Sequence, residues 1–283
     1  MEARFYRKRH DSVQCYLCPH VCIIKEGETG ICKVRKNKGG ILYSEVYGKL
    51  IARNIDPIEK KPLYLFYPGS TTYSIATVGC NMKCSFCQNW EISQAKAILG
   101  EDMTPKEIVE DALRKGCQSI SYTYTEPTIF FEFAYDTAIL AREKGLKNVF
   151  VSNGFITRPA IDLISTCLDA INIDLKGFSE DFYQHTCHAS FRPVLDAIRR
   201  YYANGVFVEL TTLIVPGHND SDQMIEKIVD FIISIDREIP WHISRFFPLY
   251  QMADLKPTPR ETLERAYKIG TQKGLKNIYL GNI

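Results

Sequence analysis

Long apolar runs are missing from this 283-residue sequence. None approaches the roughly 20 residues that a helix needs to cross a bilayer, so no transmembrane helix is expected. The opening stretch MEARFYRKRHD has no apolar core of the kind a secretory signal carries, and the reading places the chain in the cytoplasm. Charge of one sign is scarce too. Lys and Arg number 35 against 33 Asp and Glu, and a formal balance of +2 gives no ground for a nucleic-acid or membrane partner. The basic stretch RFYRKRH reads as a short solvated arm. There is no Gly-x-Gly-x-x-Gly fingerprint, no internal repeat and no low-complexity segment.

What is present is the ordinary balance of a globular chain, 45% apolar and 24% charged, long enough for one large domain or two smaller ones. From residue 73 onward, β-branched runs alternate with amphipathic segments. Strands are expected at 73–79, 119–127, 148–154, 170–177, 207–217, 241–248 and 277–282. Helices are expected near 104–116, 128–145, 158–168, 190–204, 221–236 and 259–274, with start signals at Thr104-Pro105 and Asp220-Ser221-Asp222. Such alternation means βα units and a parallel sheet. Without the dinucleotide fingerprint it favours an α/β fold of the partial (β/α)6-type TIM barrel over a doubly wound sheet. Barrels of this kind carry chemistry at the C-terminal ends of their strands. There the sequence places Cys80, Glu126, Ser152-Asn153, Asp174 with Lys176, and Arg245. Residues 1–72 break the pattern and read as a cysteine-rich, metal-binding N-terminal extension ahead of a 73–283 barrel. It contains a Gly39-Gly40 turn and a hairpin expected over 41–55.

Ten cysteines in a reducing compartment serve metals or catalysis more readily than disulfides. Seven of them fall into two tight groups before residue 90. In ATVGCNMKCSFCQNW, Cys80, Cys84 and Cys87 are spaced C-x3-C-x2-C, one ligand short of a closed tetrahedral site. Three thiolates hold three irons of a [4Fe–4S] cube and leave the fourth open to an outside ligand. With S-adenosylmethionine on that iron, one electron splits the sulfonium and yields a 5′-deoxyadenosyl radical able to abstract hydrogen. A zinc site completed by a distant His or Cys is the competing reading, but zinc motifs usually come as two C-x2-C halves.

CNMKCSFC, with Phe86 before the last cysteine, resembles the signature of radical S-adenosylmethionine enzymes. DPIEKKPLY, YTYTEPTIFFEF, NGFITRPA, INIDLKGF and TTLIVPGHNDSD extend the resemblance to the pyruvate formate-lyase activating enzyme group. CYLCPHVCIIKEGETGICKVRKN and PWHISRFFP resemble the radical component of the Amme–Memo–RadiSam set within it. The resemblance implies that Cys80, Cys84 and Cys87 bind the cluster and that Glu126 meets the amino group of S-adenosylmethionine. Tyr124 and Thr125 stand where the family motif has two glycines. By the same resemblance Asp174 and Lys176, on one face of a strand, orient and neutralise the cofactor carboxylate. Ser152 and Asn153 line its pocket and Val215 contacts the adenine. Val151 and Ser152 replace the Asp-Thr pair with which relatives hold a monovalent cation, and Tyr250 stands near the place of a family histidine. A helix-capping role for Glu126 and a structural ion pair for Asp174–Lys176 are the alternatives from the residues alone. His242, Ser244 and Arg245 are candidates to face substrate.

Cys15, Cys18, Cys22 and Cys32 make a closed set, suited to structural zinc or a second iron–sulfur cluster. Zinc is favoured because an extension with little core gains most from a closed site, and His20 is a substitute ligand. Cys117 and Cys167 read as core residues, and His185-Thr186-Cys187-His188 as a surface or substrate loop. The expectation is a radical enzyme that takes its electron from reduced ferredoxin or flavodoxin. It would act on a protein substrate, as a glycyl radical activase does, or on a small molecule. The rival is a non-catalytic zinc or iron–sulfur scaffold or electron carrier.

Overall fold

The computed structural model describes residues 1–283. Its main sheet has eight strands. An antiparallel edge strand, β1 (Ala52–Pro57), precedes parallel β2 (Thr71–Ala76), β3 (Ser119–Tyr122), β4 (Lys147–Ser152), β5 (Ala170–Asp174), β6 (Phe207–Ile214), β7 (Trp241–Arg245) and β8 (Ile278–Gly281). Helices α1 (Pro105–Arg114), α2 (Phe131–Glu143), α3 (Arg158–Ile164), α4 (Arg192–Ala203), α5 (Asp222–Ile233) and α6 (Arg260–Lys273) join the parallel strands. The start signals act as expected. Thr104 closes a reciprocal capping box with Glu107 ahead of Pro105, and the Ser221 hydroxyl accepts from the Met224 amide at 3.3 Å.

Strand order in space follows chain order from β1 to β8 without reversal. Crossovers between parallel strands are right-handed, so an unreversed order puts every helix on one face. The other face is left for the interior. A doubly wound sheet would reverse its order partway and carry helices on both faces.

β1 comes from the segment assigned to the extension. It pairs Ala52 with Ala76 and Pro57 with Thr71, so the chain leaves it at the N-terminal end of β2. From there residues 58–66 fold across the interior face. Ile58, Leu63 and Phe66 are buried against Val149 and Ala170, each worth about 2 kcal/mol by apolar burial. The amides of Tyr64 and Leu65 donate to the buried Glu209 carboxylate at 3.0 and 2.9 Å, and Asn172 Nδ2 donates to the Pro62 carbonyl at 2.8 Å. This segment floors the interior.

The remaining N-terminal residues build small antiparallel sheets. Tyr6–Lys8, Ser12–Cys15 and Ile23–Lys25 form one, and Arg35–Lys38 with Ile41–Ser44 form a hairpin. The hairpin expected over 41–55 does not form. Gly39 and Gly40 both adopt positive φ (64° and 74°), the conformation that a tight two-residue hairpin turn demands, and they set the hairpin earlier. Lys49–Leu50 pairs instead with Glu101–Asp102. A buried bidentate pair, Arg35 with Glu132 at 3.0 Å, ties the N-terminal part to α2. No helix is long and apolar enough to cross a membrane.

Candidate active site

The three-cysteine loop follows β2 directly. Gly79 reaches φ +102°, and a Cβ there would stand 2.7 Å from Val34 Cγ1 and 3.0 Å from the Cys32 carbonyl oxygen. The loop therefore starts flush against the N-terminal cysteine group. It is then held along its length by backbone bonds. The amides of Lys83 and Ser85 donate to the carbonyls of Cys187 and Thr186 at 3.0 and 2.9 Å, and the Gln251 amide donates to the Ser85 carbonyl at 3.2 Å. Met82 N donates to Cys80 Sγ at 3.4 Å and Asn153 Nδ2 reaches it at 3.6 Å, while Cys87 Sγ lies 3.3 Å from Ser93 Oγ. Hydrogen bonds to the sulfurs are a main way in which a protein tunes a cluster.

Burial raises the Cys80 and Cys87 thiols above their ordinary range. Cys84 goes the other way, because the neighbouring Cys187 thiol favours its thiolate against the effect of burial. Cys187 ends a short π-helical turn, Tyr183–Cys187, and is fully buried. The HTCH stretch is thus no surface loop at its cysteine. It braces the metal loop from behind.

Glu126 at the end of β3 is fully buried. Its Oε1 accepts from Thr128 N at 3.0 Å, Thr128 Oγ at 2.6 Å and Ser152 Oγ at 2.8 Å, and Oε2 accepts from Asn153 N at 2.8 Å. Capping the turn after Pro127 and facing the interior are therefore both true of this carboxylate. Burial raises its pKa, and these donors oppose the rise. At the end of β5, Lys176 Nζ donates to Asp174 Oδ2 at 2.8 Å and lies 5.7 Å from the Phe86 ring centre.

The three cysteines, Glu126, Ser152, Asn153 and the Asp174–Lys176 pair all line one cavity of about 450 Å³ at the C-terminal ends of the strands. Val151 and Ser244 line it as well. Three candidates stand apart from its wall. Val215 is buried, with its amide donating to Asn219 Oδ1 at 2.6 Å. His242 Nε2 lies 2.6 Å from Glu209 Oε2, and its ring packs on Tyr64 and Tyr279. Arg245 donates to the Thr258 carbonyl at 2.8 Å. Tyr250 stacks on Trp90 beside the metal loop, with ring centres 5.0 Å apart. The wall also includes Lys60, Lys61 and Thr123, whose motif the sequence displays without betraying a role.

Cys15, Cys18, Cys22 and Cys32 line a separate small cavity with His20 and Arg35. Burial raises three of these thiols, Cys32 to about 11, so coordination there must displace protons. His20 Nε2 lies 2.7 Å from the Asn81 carbonyl oxygen, and Asn81 Oδ1 accepts from Asn153 Nδ2 at 2.8 Å. His20 thus joins the two cysteine groups. In the C-x3-C-x2-C loop the three thiols suit a cube, in which each thiolate would hold a different iron.

Comparison with known proteins agrees with this geometry. The model of the Radical SAM superfamily matches residues 74–232. An uncharacterized protein of Methanocaldococcus jannaschii is 48% identical over 100% of this chain and 85% of its own length. The pyruvate formate-lyase 1-activating enzyme of Escherichia coli K12 is 26% identical over 71% of this chain and 89% of its own. A solved radical SAM methyltransferase from Sphaerobacter thermophilus shares the fold, with TM-score 0.60 at 20% identity, covering 76% of this chain and 67% of that one.

Proposed function

The chain belongs to the Radical SAM superfamily, and from that premise we propose that it cleaves S-adenosylmethionine reductively at a [4Fe–4S] cluster held by Cys80, Cys84 and Cys87. One observation carries the reading. The three cysteines share a single cavity with a buried carboxylate and an Asp–Lys pair. The donor set fits the group, because the fourth nearby thiol, Cys187, backs onto Cys84 away from the cavity wall. When bound, the cluster supplies the electron that splits the sulfonium and releases a 5′-deoxyadenosyl radical.

The chain's own residues bind and orient. Glu126, kept in place by Thr128, Ser152 and Asn153, accepts from the cofactor amino group. Lys176 neutralises the cofactor carboxylate and Asp174 sets the position of Lys176. We read the unreversed sheet as a partial (β/α)6 barrel and residues 1–72 as a metal-binding extension, with zinc or a second iron–sulfur cluster at Cys15, Cys18, Cys22 and Cys32. The electron donor is reduced ferredoxin or flavodoxin in the cytoplasm. The substrate is a protein, as the activating-enzyme relatives suggest, or a small molecule.

The test is 5′-deoxyadenosine formation by anaerobically reconstituted protein given dithionite and S-adenosylmethionine, with Cys84→Ala alongside. Product from the native protein alone supports the reading. Failure to assemble any cluster hands the case to the scaffold reading.

A further inference from the structure

A set of charged side chains beside the cavity, centred on Asp56, has no part in the chemistry described so far. Asp56, on β1 with a 5% exposed side chain, accepts from Lys60 Nζ on Oδ1 at 2.8 Å and from Lys61 Nζ on Oδ2 at 2.7 Å. The Tyr124 hydroxyl donates to Oδ2 as well. Two ammoniums on one carboxylate leave a positive charge over.

Lys61 is the pivotal member. Its side chain is 2% exposed, yet Asp56 is the one acceptor its ammonium engages. An ammonium has three N–H donors, so two remain unspent. The Tyr124 ring centre at 4.4 Å offsets part of the cost of burying the charge. Tyr124 holds this position at φ +61°, a left-handed conformation that costs an aromatic residue about 1 kcal/mol. Asn54 Nδ2 donates to its hydroxyl at 3.1 Å and Asn89 Nδ2 to its carbonyl at 2.7 Å.

Placement decides what the surplus charge faces. Lys60 and Lys61 lie on the floor segment that follows β1, at the N-terminal end of the sheet interior. Both nevertheless line the same cavity as the metal loop at the C-terminal ends of the strands. A purely structural ion pair would match charges one to one and spend its donors on packed neighbours. This one sets a buried, under-bonded lysine in the wall of an open chamber.

We propose that Lys61, with Lys60 and Tyr124, forms an anion subsite that receives a carboxylate or phosphate group of the substrate. The site holds the charged end on the floor and leaves the rest of the molecule extending toward the metal loop. That last placement rests on the radical reading, whereas the anion subsite itself does not.

The test is calorimetric titration of inorganic phosphate and of succinate into the cluster-reconstituted full chain, with S-adenosylmethionine present to cover Lys176. Lys61→Met removes the surplus charge and leaves Asp56 paired with Lys60, so that no buried charge is stranded. It is expected to weaken both probes at least tenfold. Lys60→Met, at a more exposed position, is expected to weaken them several-fold and serves if Lys61→Met does not fold. Lys38→Met is the surface control. Binding undiminished in the Lys60 and Lys61 variants, or no binding of either probe by the native protein, overturns the proposal. 5′-Deoxyadenosine formation on the same preparations is scored separately. Its absence with probe binding intact faults the radical reading alone.

Discussion

The two cysteine groups abut but differ in kind. Cys15, Cys18, Cys22 and Cys32 close on a small cavity walled by apolar side chains, beside a buried Arg35–Glu132 pair. Cys80, Cys84 and Cys87 open on a large cavity whose other walls carry Glu126, Asp174 and Lys176. Four thiolates leave a metal no vacancy, and three leave one. The difference teaches that the missing ligand matters because of what faces it. The carboxylate and ammonium across the cavity are groups that a small charged molecule can bridge to the open position.

The sharpest way to break this contrast is Cys84→Ala. It should abolish iron at the loop and with it all 5′-deoxyadenosine formation, read by iron analysis and chromatography, while metal at the first group stays in place. Next in size is Arg35→Met, which strands the buried Glu132 carboxylate beside the first group. A loss of about 3–5 kcal/mol in urea unfolding is expected. A loss under 1 kcal/mol would mean that the pair is solvated in solution.

Acid should loosen metal at the first group. Burial holds the Cys18 and Cys32 thiols above their ordinary range, Cys32 at about 11. Metal must displace those protons, so affinity at the first group should climb as pH rises toward that value. A chelator should strip that group more readily at pH 6 than at pH 8.5. Cys187→Ala is a subtler probe. Iron content should hold, but removing the thiol that favours the Cys84 thiolate should make the cluster harder to reduce, by a few-fold in reduced fraction at a set potential. An unchanged redox titration would leave Cys187 with bracing alone. Smallest is His20→Ala, which cuts the bond to Asn81 that joins the groups and should cost about 1 kcal/mol.

Much of this could be read in the residues, and the failures share a cause. Every parallel strand and every helix named from periodicity lies within a few residues of its observed place, because these patterns are local. The cavity residues Cys80, Cys84 and Cys87 can be picked out by their spacing in one short loop, and Glu126, Asp174 and Lys176 by their places at or just past strand ends. β1 escaped because an antiparallel edge strand looks like half of a hairpin until its partner, here β2, is known. His242, named as a candidate to face substrate, lies against Glu209 of the neighbouring strand, a contact between residues 33 apart that only the fold reveals. Cys187 was hidden by its sequence neighbours, whose two histidines suggested an exposed stretch. Only folding brings residue 187 to residue 83.

The floor of the chamber has a consequence of its own. It is made by residues 58–66, the connection between edge strand β1 and its neighbour β2, packed on Val149 and Ala170. Chamber depth is therefore a property of one short loop. Lengthening or trimming that loop would reset the size of molecule admitted, as moving the stop of a caliper does, without touching the jaws.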